Sequence, residues 1–249
     1  MLDYTREAPD YDATRGGAPR ANAAADAIVS LLPAGIRRVV DVAGGTGIVT
    51  AALAERGYET VVVDRAPGMA LVASSRLPGR VLLGDATALP LADASVDAVT
   101  MIWVLHLVSR DASAEAIAAA ARVLRPGGTL VTTVDKNDGH FRTGSDVAEI
   151  LWPHRKRLFH PNFDDRARIV ELGARHGLPV TAETGFAGFG QGRSPARWRA
   201  ELGDEGSGWL RRGGPELVAD LTAALAALPE QDRPRPDPVY RLLALTKPE

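Results

Sequence analysis

The stretch Arg38-Val39-Val40-Asp41-Val42-Ala43-Gly44-Gly45-Thr46-Gly47-Ile48-Val49-Thr50 constrains this chain more than any other. Val39, Val40 and Val42 give it the β-branched, apolar character of a strand covered on both faces. Gly44, Gly45 and Gly47 then form a turn that allows backbone angles and close approaches a Cβ would block. From Gly47 the pattern becomes helical. A strand, a glycine turn and a helix in that order place a ligand at the carboxyl end of a parallel strand, as in open α/β sheets. A dinucleotide pattern G-x-G-x-x-G/A read from Gly45 meets Thr50 where a small residue is required, and read from Ala43 it lacks its first glycine.

The rest of the chain repeats the alternation. Helical spacing over Pro19 to Leu32 precedes this strand, and a helix from Gly47 to Glu55 follows it. Apolar strands are predicted at Tyr58 to Val63, Val81 to Leu83, Asp97 to Val104 and Gly128 to Val134. Helices are expected between them at Pro67 to Ser75 and Ser113 to Leu124. Alternation of this kind implies βαβ units and a parallel sheet. Beyond Asp135 the pattern loosens. A helix is expected at Asp164 to His176, a sixth strand at Val180 to Phe189, a helix at Pro215 to Leu228, and a last strand at Val239 to Thr246. That last strand is expected to pair antiparallel at or near the sheet edge.

Composition narrows the partners. The 249 residues carry a formal net charge of -2, which argues against nucleic acid or an anionic membrane as the main partner. The chain has no cysteine, so disulfides, thiolate metal sites and a cysteine nucleophile are excluded, and a reducing cytoplasm fits. The charged N-terminus does not read as a secretory signal. The longest apolar run, Ala98 to Val108, is too short to span a bilayer.

Three further elements follow the glycine turn, one βα unit apart. Asp64 closes the second strand, where a carboxylate accepts hydrogen bonds from both ribose hydroxyls of a nucleotide-like ligand. Gly84-Asp85-Ala86, followed by Leu89-Pro90, closes the third, where Asp85 is an acceptor for an adenine amino group. Leu124-Arg125-Pro126-Gly127-Gly128 is a helix stop and tight turn into the fifth strand. Each alone is an ordinary turn; the ordered set is not.

With Asp64-Arg65-Ala66-Pro67-Gly68-Met69 and Trp103-Val104-Leu105-His106 added, residues 38–131 resemble the class I S-adenosylmethionine-dependent methyltransferases. Within them the chain is most similar to the branch that modifies natural products, quinones and lipids. Asp41 to Gly47 matches the family's D-x-G-x-G-x-G, with Ala43 in place of the first glycine. The resemblance implies a doubly wound, seven-stranded, mainly parallel α/β sheet of order 3-2-1-4-5-7-6 with the seventh strand antiparallel. It also implies S-adenosylmethionine as cofactor. Ala43, Gly44, Gly45 and Gly47 would pack on its methionine part, with Asp41 near the amino group. Asp64 would take the ribose, Arg65 and Met69 would flank adenine, and Gly84, Asp85 and Ala86 would define the adenine edge. Trp103 would lie beside the sulfonium. Tyr11 and Arg15, in an N-terminal lid, are the candidates for the cofactor carboxylate.

Methyl transfer from a sulfonium requires a nucleophile held in line with water excluded. His106, just past the fourth strand, is the candidate general base; His140 and His160 are alternatives at a substrate pocket. Asp135, Asn137, Asp138 and His140 offer metal ligands, but the fourth strand ends without a carboxylate, so no metal is assigned. The expectation is a single domain over 1–249 with cap elements 1–32, 136–176 and 190–232. The protein would be a cytoplasmic enzyme, monomer or homodimer, methylating O or N of a small acceptor in secondary metabolism. Phe141, Trp152, Phe159, Phe163, Trp198 and Trp209 suggest a partly apolar acceptor. The competing reading is a protein of this fold with a non-methylating role, as a cyclase-like catalyst or binding module.

Overall fold

The computed structural model shows one seven-stranded sheet in which the central strands, runs of valine and leucine without polar alternation, are buried on both faces, while the two edge strands are partly exposed. It describes residues 3–158, 163–203 and 210–249. The strands are β1 (Arg38–Val42), β2 (Glu59–Asp64), β3 (Val81–Leu83), β4 (Val96–Met101), β5 (Leu124–Val134), β6 (Val180–Ala187) and β7 (Val239–Thr246). Their order is β3-β2-β1-β4-β5-β7-β6, as the resemblance implied. β1 lies parallel to β2 and β4, β3 to β2, and β5 to β4, whereas β7 runs antiparallel to β5.

The helices are α1 (Tyr4–Glu7), α2 (Tyr11–Thr14), α3 (Gly17–Leu31), α4 (Ile48–Glu55), α5 (Pro67–Arg76), α6 (Arg110–Val123), α7 (Asp146–Leu158), α8 (Arg166–Arg175), α9 (Pro195–Gly203) and α10 (Gly214–Ala226). Two local features bear on the site. The segment expected as an N-terminal lid forms two short helices, the first capped by Asp3, whose carboxylate accepts from the backbone N–H of Thr5 and Arg6. β4 stops at Met101, short of Val104, because Trp103 adopts a positive φ of 57° that turns the chain off the sheet.

The chain divides into two compact units. The first comprises Met1–Lys136, Asn162–Phe186 and Tyr240–Glu249. Val40, Val42, Val99, Leu130 and Leu243 pack with α6 and α8 through Ile117 and Ile169 in one cluster. Val39, Ala98, Val131 and Leu242 pack with α3 and α4 through Ile28 and Leu53 in another. Neighbours such as Val39 and Val40 fall in different clusters, as the period of two requires. The expected cap segments thus divide: α3 and α8 belong to this sheet unit.

The second unit comprises Asn137–Pro161 and Ala187–Val239. Its core joins Phe141, Leu151, Trp198, Leu221 and Leu225. Phe141 stacks on Trp152 at 5.8 Å and tilts against Trp198 at 5.7 Å. These rings, expected to line an acceptor pocket, are instead committed to one another: a small unit needs their large buried area for its own stability. Phe163 is exposed on the first unit, and Phe159, His160 and Trp209 lie outside the described residues. Among the described residues no helix is long and apolar enough to cross a membrane.

Gly173 lets α8 approach the sheet, since a Cβ there would collide with Leu245 and approach the Leu178 carbonyl at 2.8 Å. Gly173→Ala is expected to cost about 2 kcal/mol through overpacking. The apparent Tm would fall by roughly 4–8 °C in thermal denaturation.

Candidate active site

The glycine turn closes around a buried carboxylate. Asp41, the penultimate residue of β1, accepts from the Thr50 hydroxyl of α4 at 2.6 Å and from the Thr100 hydroxyl of β4 at 2.7 Å. A Cβ at Gly44 would lie 2.8 Å from Asp41 Oδ2, so this position needs glycine for space. Gly45 and Gly47 need it for their positive φ of 60° and 71°. Ala43 also has positive φ, 55°, and its N–H donates to the Val63 carbonyl at 2.7 Å. Ala43 thus holds a left-handed backbone where the motif has glycine, at a cost of about 1–2 kcal/mol.

Asp64 at the end of β2 is tied to the same turn. Its Oδ2 accepts from Gly45 N–H at 2.9 Å and its Oδ1 from Ala66 N–H at 2.8 Å, which orients the carboxylate rigidly. Met69 is buried beside Gly45, its Sδ the nearest atom to a Cβ placed there. Asp85 accepts from the Thr87 N–H and hydroxyl, which hold its carboxyl below the ordinary range. Arg65 lies 3.9 Å from Asp85, both largely exposed. Gly84 admits Pro90 and Val63 against its backbone, and Ala86 packs on the sheet core. The structure thus brings together the residues assigned to one ligand at the ends of β1, β2 and β3.

On the other side of the turn, Tyr11 and Arg15 line a cavity of about 30 Å³ with Arg20, Ile48, Val49 and Trp103. Arg20 was not legible as a site residue. It is buried on α3, its guanidinium 3.5 Å from the Trp103 ring centre, donating to the Arg15 carbonyl at 2.6 Å. Its Nε has no partner, and no carboxylate pairs with it among the described residues. A charged residue inside the alanine-rich face Ala21, Ala24, Ala25, Ile28 was the available signal. Asp12 was also missed: its carboxylate accepts from the Thr46 hydroxyl at 2.6 Å and from Arg76 at 2.7 Å.

Trp103 is held by its own N–H donating to Thr133 Oγ1 at 2.9 Å and by edge contacts with Phe186 and Tyr240. His106 sits on the single 3₁₀ turn that follows, Leu105–Leu107. Burial, with the charges of Lys136 and Arg20 adding to it, holds this imidazole well below its ordinary pKa, and its Nδ1 has no partner. It is neutral at physiological pH. His140 lies in the second unit, edge-on to Trp198. Of the residues considered for a metal, Asp135 pairs with Arg241 and Asp138 with Arg155. No cluster of three His, Cys, Asp or Glu side chains converges among the described residues.

Two carboxylates, Asp41 and Asp64, stand at the turn that opens α4. A pyrophosphate placed there would meet negative charge; a cationic ligand would be stabilised. Burial raises Asp41 to about 6, with the Thr50 and Thr100 hydroxyls opposing the rise. The folded chain therefore holds a proton the unfolded chain releases, and this group's contribution falls as pH rises from about 4 to about 6. The loss is about 3 kcal/mol at 1.36 kcal/mol per unit. Asp164, also raised to about 6 by burial, acts in the same window. Asp97, Asp146 and Glu183 are lowered, so their opposing contribution is lost only at more acid pH. Asp41→Asn keeps a neutral partner for both threonines and is expected to remove about half of the decline between pH 4 and 6, as urea titrations at stepped pH would show.

Residues 40–132 match a family model described as a methyltransferase domain. An uncharacterised methyltransferase of Mycobacterium tuberculosis is 44% identical over 127 residues, 51% of each chain. A demethylmenaquinone methyltransferase of Renibacterium salmoninarum is 42% identical over 110 residues, 43% of this chain and 46% of its own. The chain spans about half the length of the curated relatives it matches. Among solved structures, the [4+2]-cyclase SpnF superposes with a TM-score of 0.61 at 21% identity, covering 98% of this chain and 93% of its own. Residues 40–132 thus match the methyltransferase domain family, and the sheet, with its order β3-β2-β1-β4-β5-β7-β6, shares the fold of the solved methyltransferase-like structures.

Proposed function

We propose that the protein transfers a methyl group from S-adenosylmethionine to an oxygen or nitrogen of a small, partly apolar organic acceptor. The observation that carries this reading is the charge under the glycine turn: the buried Asp41 suits a cofactor with a sulfonium and an ammonium and disfavours a pyrophosphate, whereas Asp64 would serve the ribose of either ligand. Bound there, the cofactor supplies an electrophilic methyl group. Asp64 would hold the ribose hydroxyls, Asp85 the adenine amino group, and Asp41 the amino end through the turn it braces. Tyr11, Arg15 and the unpaired Arg20 would receive the carboxylate. Trp103 would exclude water beside the reacting centre. His106, being neutral, is able to accept the proton of a hydroxyl or amine acceptor as the new bond forms.

The demethylmenaquinone relative supports a quinol-like ring among the acceptors to be tried. A second reading is favoured by the cyclase SpnF, which shares the fold: cofactor binding without methyl transfer. Incubation with methyl-labelled S-adenosylmethionine and a panel of hydroxyl, amine and hydroquinone acceptors separates the two. Transfer of label supports the first; binding without transfer across the panel supports the second.

Two outcomes follow from the site. Asp64→Ala is expected to weaken S-adenosylmethionine binding by about tenfold to a hundredfold in calorimetry, from two lost charge-assisted hydrogen bonds. In thermal-shift assays NAD should leave the Tm unchanged. His106→Ala should lower kcat by about a hundredfold for acceptors that must lose a proton, with cofactor affinity retained. Because His106 is held neutral, kcat of the wild type should not decline between pH 8 and 6 as it would for an ordinary histidine near 6.5.

A further inference from the structure

The N-terminal residues meet the cofactor site at three separate places. Thr5 of α1 lies directly on Gly68 at the start of α5, where a Cβ would collide with the Thr5 carbonyl. Tyr4 beside it feels the charges of Asp64 and Arg65, while burial is the main cause that raises its hydroxyl pKa. Asp12 of α2 joins the glycine turn itself: one carboxylate oxygen takes the Thr46 hydroxyl, the other the Arg76 guanidinium. Arg76 in turn donates to the Thr46 carbonyl at 2.5 Å, which closes a three-residue ring of hydrogen bonds. Tyr11 and Arg15 then cover Ile48 and Val49, leaving the gap of about 30 Å³. That gap holds little more than a water molecule, and no nucleoside passes through it.

The segment also has a hinge. Gly16, which caps α3, and Gly17, its first residue, both have positive φ, 89° and 52°. α3 beyond them is anchored in the sheet core. Residues 3–15 therefore have one fixed end and three contacts, of which the Asp12 ring is the one with charge and direction. We propose that Asp12 is a latch: with Thr46 and Arg76 it holds residues 3–15 as a strap across the cofactor site, and its opening sets how fast the cofactor enters and leaves. The latch acts through the turn and touches no reacting atom, so Asp12 is a positioning residue. The proposal rests on the cofactor reading above.

The test compares Asp12→Ala and Asp12→Asn with the wild type. Asn retains an acceptor for Thr46 but loses the ion pair with Arg76, so it should fall between the other two. Limited trypsin digestion after Arg15, without ligand, should run about tenfold faster in Asp12→Ala, since cleavage tracks the open population. The dissociation rate of S-adenosylmethionine, followed by competition in stopped flow, should rise about tenfold in Asp12→Ala, which loses both the Thr46 and the Arg76 contacts to a partly exposed carboxylate. The Tm should move by less than about 3 °C, because the sheet core is untouched. A dissociation rate unchanged in both variants, with the wild type binding the cofactor, overturns the latch and leaves the cofactor reading intact. A wild-type chain that binds no S-adenosylmethionine overturns that reading and the gating role with it.

Discussion

Most of what positions the site passes through one carboxylate. Asp41 ties β1, β4 and α4 together, because its two oxygens are taken by hydroxyls from different elements. Threonine hydroxyls are neutral donors and offset only part of the cost of burying a charge, which is why the group sits near 6. An asparagine would fill the same space and pair with the hydroxyls without burying a charge. The carboxylate has a further consequence: Gly44 must lack a side chain, so the turn runs close enough for Gly45 N–H to reach Asp64. The second carboxylate of the site is thereby placed by the first.

The sheet was legible because its signals are local and repeated. Valine runs, glycine stops and acidic residues at the ends of β1, β2, β3 and β5 recur with the βα period, and they recover the strand order through the resemblance they support. Asp64, Asp85 and the glycine turn were legible for the same reason. Arg20 and Asp12 were not, because their meaning depends on what folds against them. Arg20 reads as the solvated edge of a helix until α3 turns that face onto Trp103. Asp12 reads as a turn former until α2 is laid on Thr46. Thr50 counted only as a mismatch to a dinucleotide pattern, whereas its hydroxyl is one of the two that hold Asp41. The packing of the aromatics after residue 136 was not legible for a related reason: composition counts rings but does not say whether they face a ligand or each other.

Backbone strain marks the same edge of the sheet. Ala43 after β1, Trp103 after β4 and Asp135 after β5 all have positive φ, at 55°, 57° and 49°. Such angles turn the chain sharply at the strand's carboxyl end. For alanine and tryptophan they cost about 1–3 kcal/mol each. They persist only where other contacts fix the residue. Ala43 is tied to Val63; Asp135 holds the Arg166 N–H and Arg241. Trp103 is the extreme case, since a bulky side chain rarely adopts this angle. Its ring is wedged between Arg20, Phe186 and Tyr240, and the backbone N–H of Trp103 is taken by Thr133 Oγ1. A glycine would relieve the strain but would leave Arg20 without the ring it lies on. The strained backbone and the buried arginine therefore support one another: each is tolerable only because the other is there.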